Sequence, residues 1–112
     1  MASTRKLPRP FSFPWGGGQI VEEVSVETEH HVPTIQLLEY DDGSLSVRFC
    51  SYSHSGRFMR NPMMASADDM NALGRALKSA PRLQQLVGGL GRQEPSSAAS
   101  SRRATARFDS SA

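Results

Sequence analysis

One step limits the fold of this 112-residue chain more than any other: Asp42-Gly43, set between two apolar-rich runs. The runs are TIQLLEY (34–40) and LSVRFCSY (45–52), and an Asp-Gly step between such runs is the strongest short-range signal for a β-hairpin. In the second run Leu45, Val47 and Phe49 point one way, and Ser46, Arg48, Cys50 and Tyr52 the other. A slip of one residue in register would exchange the two sets.

The flanking segments extend this pattern. In IVEEVSVET (20–28), Ile20, Val24, Val26 and Thr28 share one strand face, and Glu23, Ser25, Glu27 and Glu29 fill the other. That is the pattern of a half-buried antiparallel strand whose acidic face is solvated or guards an edge. The same carboxylates could be met by Arg48, Arg57 or Arg60 across the sheet or between subunits. A turn at His54-Ser55-Gly56 leads into RFMRNPMM, a fourth strand at an edge or ending near Asn61, because Pro62 cannot donate to a ladder.

The period then changes. Ser66 precedes Asp69 by three, the spacing of a capping box, and Met70, Leu73 and Leu77 recur at helical intervals beside Ala76. Pro81 interrupts the run, and Leu83, Leu86, Val87 and Leu90 form a shorter helical stretch that ends in glycines. The expected fold is α+β over residues 20–91: a four-stranded antiparallel meander, then one or two helices packed on one face. Leu37, Leu45, Val47, Phe49, Leu73 and Leu77 are its expected core.

Residues 1–19 carry Pro8, Pro10, Pro14 and Gly16-Gly17-Gly18 around Phe11, Phe13 and Trp15. Prolines exclude a helix and glycines resist ordering, so this segment reads as a flexible aromatic arm. Its three rings are the expected arm contacts, with a partner or with the chain's own domain. Residues 92–112, rich in Ser, Ala and Arg, read as a disordered tail. Charge divides along the same lines. Residues 20–91 hold six basic against nine acidic groups, a balance of −3, while the two ends carry +3 and +2. The basic excess therefore belongs to the ends, and charge alone does not make the central part a polyanion binder. One cysteine excludes an internal disulfide, and neither a signal-peptide core nor an apolar span of about 18 residues occurs. A soluble cytoplasmic protein is expected.

No motif carries catalytic chemistry. His30 and His31 are adjacent and so diverge on a strand, and neither CxxC nor HExxH spacing occurs; no metal site is expected. Cys50, near Arg48 and His54, reads as a small side chain filling a strand position. The glycine triplet precedes a strand, not a helix, so it forms no phosphate loop, and no cofactor is expected. With no nucleophile, base and electrophile in one constellation, the chain reads as no enzyme. It reads as a small binding or regulatory module acting on a protein partner or on a second copy of itself, as a homodimer. The alternative is single-stranded nucleic acid. VRFCSYSHSGRFMR interleaves Arg48, Arg57 and Arg60 with aromatics, and Arg48, Tyr52, Arg57, Phe58 and Arg60 are the contact residues that either partner would use.

The strand Val47-Arg48-Phe49, the Gly56 turn, the segment Met63-Met64-Ala65-Ser66 and the helix with Met70 and Leu73 follow an order that resembles the PC4 transcriptional-coactivator family of single-strand DNA-binding proteins. The resemblance spans about 30 residues and implies four antiparallel strands followed by a helix through which the protein dimerises. Where that family has a lysine-rich segment before the helix, this chain has Arg60-Asn61-Pro62.

Overall fold

The hairpin centred on Asp42-Gly43 forms the middle of the sheet. The computed structural model describes residues 5–91, and the tail of residues 92–112 lies outside the described residues. Five strands pair in sequence order, each antiparallel to the next: β1 (Arg9–Phe13), β2 (Gly16–Ser25), β3 (Val32–Tyr40), β4 (Leu45–Tyr52) and β5 (Phe58–Met59). Two helices follow, α1 (Ala67–Ala76) and α2 (Pro81–Gly88), joined by a 3₁₀ turn over Leu77–Ser79. The antiparallel meander with helices on one face is thus the architecture observed. None of the described helices is long and apolar enough to cross a membrane.

At the central turn the Tyr40 N–H donates to the Ser44 carbonyl (2.9 Å), and Gly43 takes φ +91°, a region that side chains with a Cβ avoid. The Asp42 carboxylate accepts from the Ser44 N–H (2.9 Å) and hydroxyl (2.7 Å). These bonds favour the ionised form and hold the Asp42 carboxyl below its usual range.

The strand count differs from the expectation, for a local reason. The segment read as a flexible arm supplies β1 and the first half of β2, in a hairpin closed by the two residues Pro14-Trp15, with Phe11 opposite Gly18 and Phe13 opposite Gly16. The glycines promote order here by allowing close approach. A Cβ on Gly18 would overlap the Glu39 carbonyl and lie 2.7 Å from Tyr40 Cα. The Phe11 ring instead meets Tyr40 edge-on, with centroids 5.2 Å apart.

A bulge at Val21 separates the pairs Ile20–Leu38 and Glu22–Leu37. It reverses the alternation of β2, so Ile20 and Glu23 point to the same side while Val24 points to the other. The expected common face of Ile20 and Val24 is therefore broken. On the helix-covered side Val24, Ile35 and Leu37 pack against Leu73, Ala76, Leu77, Ala80 and Leu83. Helix α1 begins in the expected capping box: Asp69 N–H to Ser66 Oγ and Ser66 N–H to Asp69 Oδ2, both 3.0 Å. Pro81 opens α2, where its missing N–H costs nothing, and the Leu83 N–H donates to Glu22 Oε1 at 2.8 Å. Leu37, Leu73 and Leu77 are buried as expected and Val47 is partly covered. Leu45 and Phe49 are not core: 43% and 46% of their surface remains exposed, on the margin of the sheet. Met70 also faces solvent.

Replacing Gly18 by Ala should lower unfolding stability by about 3 kcal/mol, because the clash is with backbone. Gly74→Ala, at an open position in α1, should raise it by about 0.5–1 kcal/mol. Urea melts of the two variants check both signs.

Candidate functional site

The side of the sheet turned away from the helices is concave, and beside the buried Ile20, Val32 and Leu38 it buries a cluster of polar side chains. Glu23 from β2, Thr34 and Gln36 from β3, Cys50 and Tyr52 from β4 converge there, joined by Arg9 from β1 and by Arg5. Glu23 is only 4% exposed, which overturns its expected place on a solvated outer face. Glu23 does lie on the face opposite Val24 as expected, but that face is not solvated, because Arg5 and Arg9 close over it.

A buried carboxylate needs compensation, and here it is extensive. Arg9 makes a bidentate contact, Nη2 to Oε2 at 2.7 Å and Nη1 to Oε1 at 3.2 Å. Gln36 Nε2 donates to Oε2 at 2.6 Å, and Arg5 Nε approaches at 3.4 Å. The Tyr52 hydroxyl ties the group together, accepting from Gln36 Nε2 at 2.9 Å and from Arg9 Nη2 at 3.3 Å. The Arg5 guanidinium lies over the Tyr52 ring at 3.8 Å, and its Nη2 reaches Thr34 Oγ1 at 3.4 Å. Burial disfavours the Arg9 charge, but the bonds to Glu23 and Tyr52 outweigh it and raise its pKa.

Gln36 Oε1 accepts from Arg48 Nε at 2.7 Å and from the Cys50 thiol at 3.5 Å. Burial pushes the Cys50 thiol up, against the smaller opposing effect of Arg48. It is a protonated, inward-facing thiol, the opposite of what a nucleophile requires. The histidines are scattered. His31 bonds the Met64 carbonyl (2.8 Å), beside an open depression that it shares with Ser51, Met59 and Asn61. His54 bonds the Glu29 carbonyl (3.1 Å), and His30 is exposed. Among the described residues no cluster of three metal-ligating side chains occurs.

The mouth of the concavity is built differently. Trp15 stacks on Phe13 with centroids 4.8 Å apart and planes 17° from parallel, and is 74% exposed. The Arg48 guanidinium lies 5.7 Å from the Phe13 ring and 5.0 Å from the Phe58 ring, and Phe58 meets Tyr52 edge-on at 5.7 Å. Trp15, Phe13, Arg48 and Phe58 therefore form one continuous stripe from the β1–β2 turn across to β5. Of the residues singled out from sequence, the structure brings Arg48, Tyr52 and Phe58 together with Phe13 and Trp15. Phe11 is held against Tyr40 instead. Arg57 and Arg60 are exposed near β5, and neither they nor Arg48 pair with an acid among the described residues. The carboxylates expected to meet them are elsewhere: Glu23 inside, Glu27 near His54 and Glu29 near His30.

Sequence reasoning passed over Arg5, Arg9 and Gln36, and read Glu23 as solvated. One signal was present: Gln36 is a lone polar residue between Ile35 and Leu37 in a central strand, where a buried amide must find partners. Comparisons of the chain with protein-family models, with curated proteins and with solved structures found no match.

Removing the Glu23 charge leaves two arginines facing a neutral group. Glu23→Gln should cost about 2–3 kcal/mol, less than full burial implies because both guanidinium groups keep some contact with water. Chemical denaturation checks it. In the native protein Cys50 should react with iodoacetamide at pH 8 on the order of a hundredfold more slowly than in the unfolded chain, because the reagent must wait for opening. Native labelling at the unfolded rate would show that the concave side is open.

Proposed function

We propose that the chain is a non-enzymatic binding module that takes a protein partner on the stripe formed by Trp15, Phe13, Arg48 and Phe58. The observation that carries this reading is the contrast between inside and rim. The groups with chemical potential, Glu23 and Cys50, are buried and internally bonded. The rings and the arginine at the mouth are presented outward and held in place by one another. Tryptophan, tyrosine and arginine are the side chains that most often dominate protein interfaces, because each offers a large rigid surface with a polar handle. A buried, unpaired Cys50 thiol suits a reducing cytoplasmic setting.

Single-stranded nucleic acid is the second reading. Arg48 between two rings, with Arg57 and Arg60 lacking acidic partners among the described residues, favours it. Against it, residues 5–91 carry nine basic and nine acidic groups, so their net charge is zero. Such a surface supplies little of the counter-ion release that drives nucleic-acid affinity.

Trp15 is the single tryptophan and reports directly on the stripe. A photo-crosslinker at Phe58 should capture a protein partner that the same group at Lys78, on the helical side, does not. Arg48→Glu should weaken that capture about tenfold or more. Quenching of Trp15 by a single-stranded oligonucleotide, with affinity falling steeply between low and moderate salt, would move the assignment to the second reading. Equal capture from Phe58 and Lys78 would remove the stripe from the function altogether.

A further inference from the structure

The two edges of the sheet are not alike. Along the β1 edge, Pro8, Pro10 and Pro14 carry no N–H, and such an edge is a poor template for another strand. The other edge is bare. β5 is two residues long and pairs only with Ser51 and Tyr52, so β4 from Leu45 to Cys50 has no strand on its outer side among the described residues.

Two hydrogen bonds fix which groups face outward there. The bond from the Tyr40 N–H to the Ser44 carbonyl closes the β3–β4 hairpin, so the even-numbered residues of β4 direct their N–H and C=O to β3. The bond from the Ser53 N–H to the Arg57 carbonyl (2.8 Å) closes the β4–β5 hairpin, so the odd-numbered residues direct theirs outward. Beyond the reach of β5 these are Leu45, Val47 and Phe49. Their three N–H and three C=O groups have no backbone partner among the described residues. The same residues carry the exposed Leu45 and Phe49 side chains, both on the helix-covered side of the sheet.

We propose that this edge joins a second copy of the chain, β4 to β4 antiparallel, about a two-fold axis at Val47. In that register Val47 lies opposite Val47, and Leu45 of each copy lies opposite Phe49 of the other. All six outward backbone groups of each copy then find partners, in three pairs that each exchange two bonds. Both exposed apolar side chains gain a cross-strand apolar neighbour on the same face. Arg48 lies opposite Ser46, so no like charges meet directly. The window also fits at its ends, since the incoming strand begins at Leu45, after the Asp42-Gly43 turn, and finishes before β5 starts. The occupant is a second copy because the segment complements itself: apolar positions and unpaired groups are both symmetric about Val47. Arg48 of the stripe lies on this strand, but its side chain is on the face opposite Leu45 and Phe49, and the pairing rests on the backbone edge and not on what the stripe binds.

The test is light scattering of the full chain with residue-resolved amide exchange on the same samples. The expected result is a dimer in which the Leu45, Val47 and Phe49 amides are protected, with that protection lost on dilution to monomer. Leu45→Lys with Phe49→Lys should produce a folded monomer, since both positions are exposed and outside the helix-packed cluster. Amide exchange on the unaltered protein decides the matter whether or not that variant folds. Three results would overturn the proposal: a monomer at every concentration, a dimer whose 45, 47 and 49 amides exchange freely, or protection of these amides in a monomer. The last would mean that another segment of the same chain holds the edge.

Discussion

A single carboxylate organises one whole side of this sheet. Glu23 sits on the concave face at a depth where an unpaired charge would be prohibitive, and each neighbour is arranged around that constraint. Arg9 grips both oxygens, Gln36 donates to one, Arg5 adds a second positive charge, and Tyr52 closes the ring. These partners come from β1, β3, β4 and the segment before β1, so satisfying one side chain fixes the relative placement of four parts of the chain. β1 is thereby drawn into the sheet by a charge as well as by its ladder. The helix-covered side is built on the opposite principle, with apolar side chains interlocking between β2, β3 and the helices. The sheet has two interiors, one wholly apolar and one in which Ile20, Val32 and Leu38 flank a charged network.

That division explains what could be read from sequence and what could not. The hairpin at Asp42-Gly43, the capping box at Ser66 and the role of Pro81 depend on neighbouring residues, and all three were legible. The bulge at Val21 was not. It rests on how β2 pairs with β3, and no local pattern separates an extra residue from an imperfect alternation. Without it Ile20 falls on the side of Val24, and the face that carries Glu23 looks wholly polar and so solvated. The glycine triplet misled for a related reason. Its meaning lies in the proximity of Glu39 and Tyr40, about 20 residues away in sequence. Leu45 and Phe49 failed differently, because their face was read correctly but their distance from the helices was not a property of β4 alone.

The candidate site was legible in part. The mixture of arginine and aromatic residues from Arg48 to Arg60 drew attention to β4 and β5, and Arg48 and Phe58 do lie at the mouth. What periodicity could not show is that Phe13 and Trp15 complete the stripe from the far side of the sheet. A curled sheet makes neighbours of its first and fourth strands, and that curvature is a global property. The arginines also divide into two populations. Arg5 and Arg9 serve the interior, whereas Arg48 bridges interior amide and exterior rings.

The strict meander order has a consequence for synthesis. Every strand pairs with the strand just before it, so each hairpin can close as soon as its second half leaves the ribosome. The polar interior is complete in composition once Tyr52 has emerged. The oily side is not, because its cover depends on Leu73, Leu77 and Leu83. A nascent chain of about 60 residues would thus have its charged network assembled while Val24, Ile35 and Leu37 still faced water. The helices act as a late lid on an already shaped sheet, and the interval before they arrive is when this protein is most vulnerable to the wrong company.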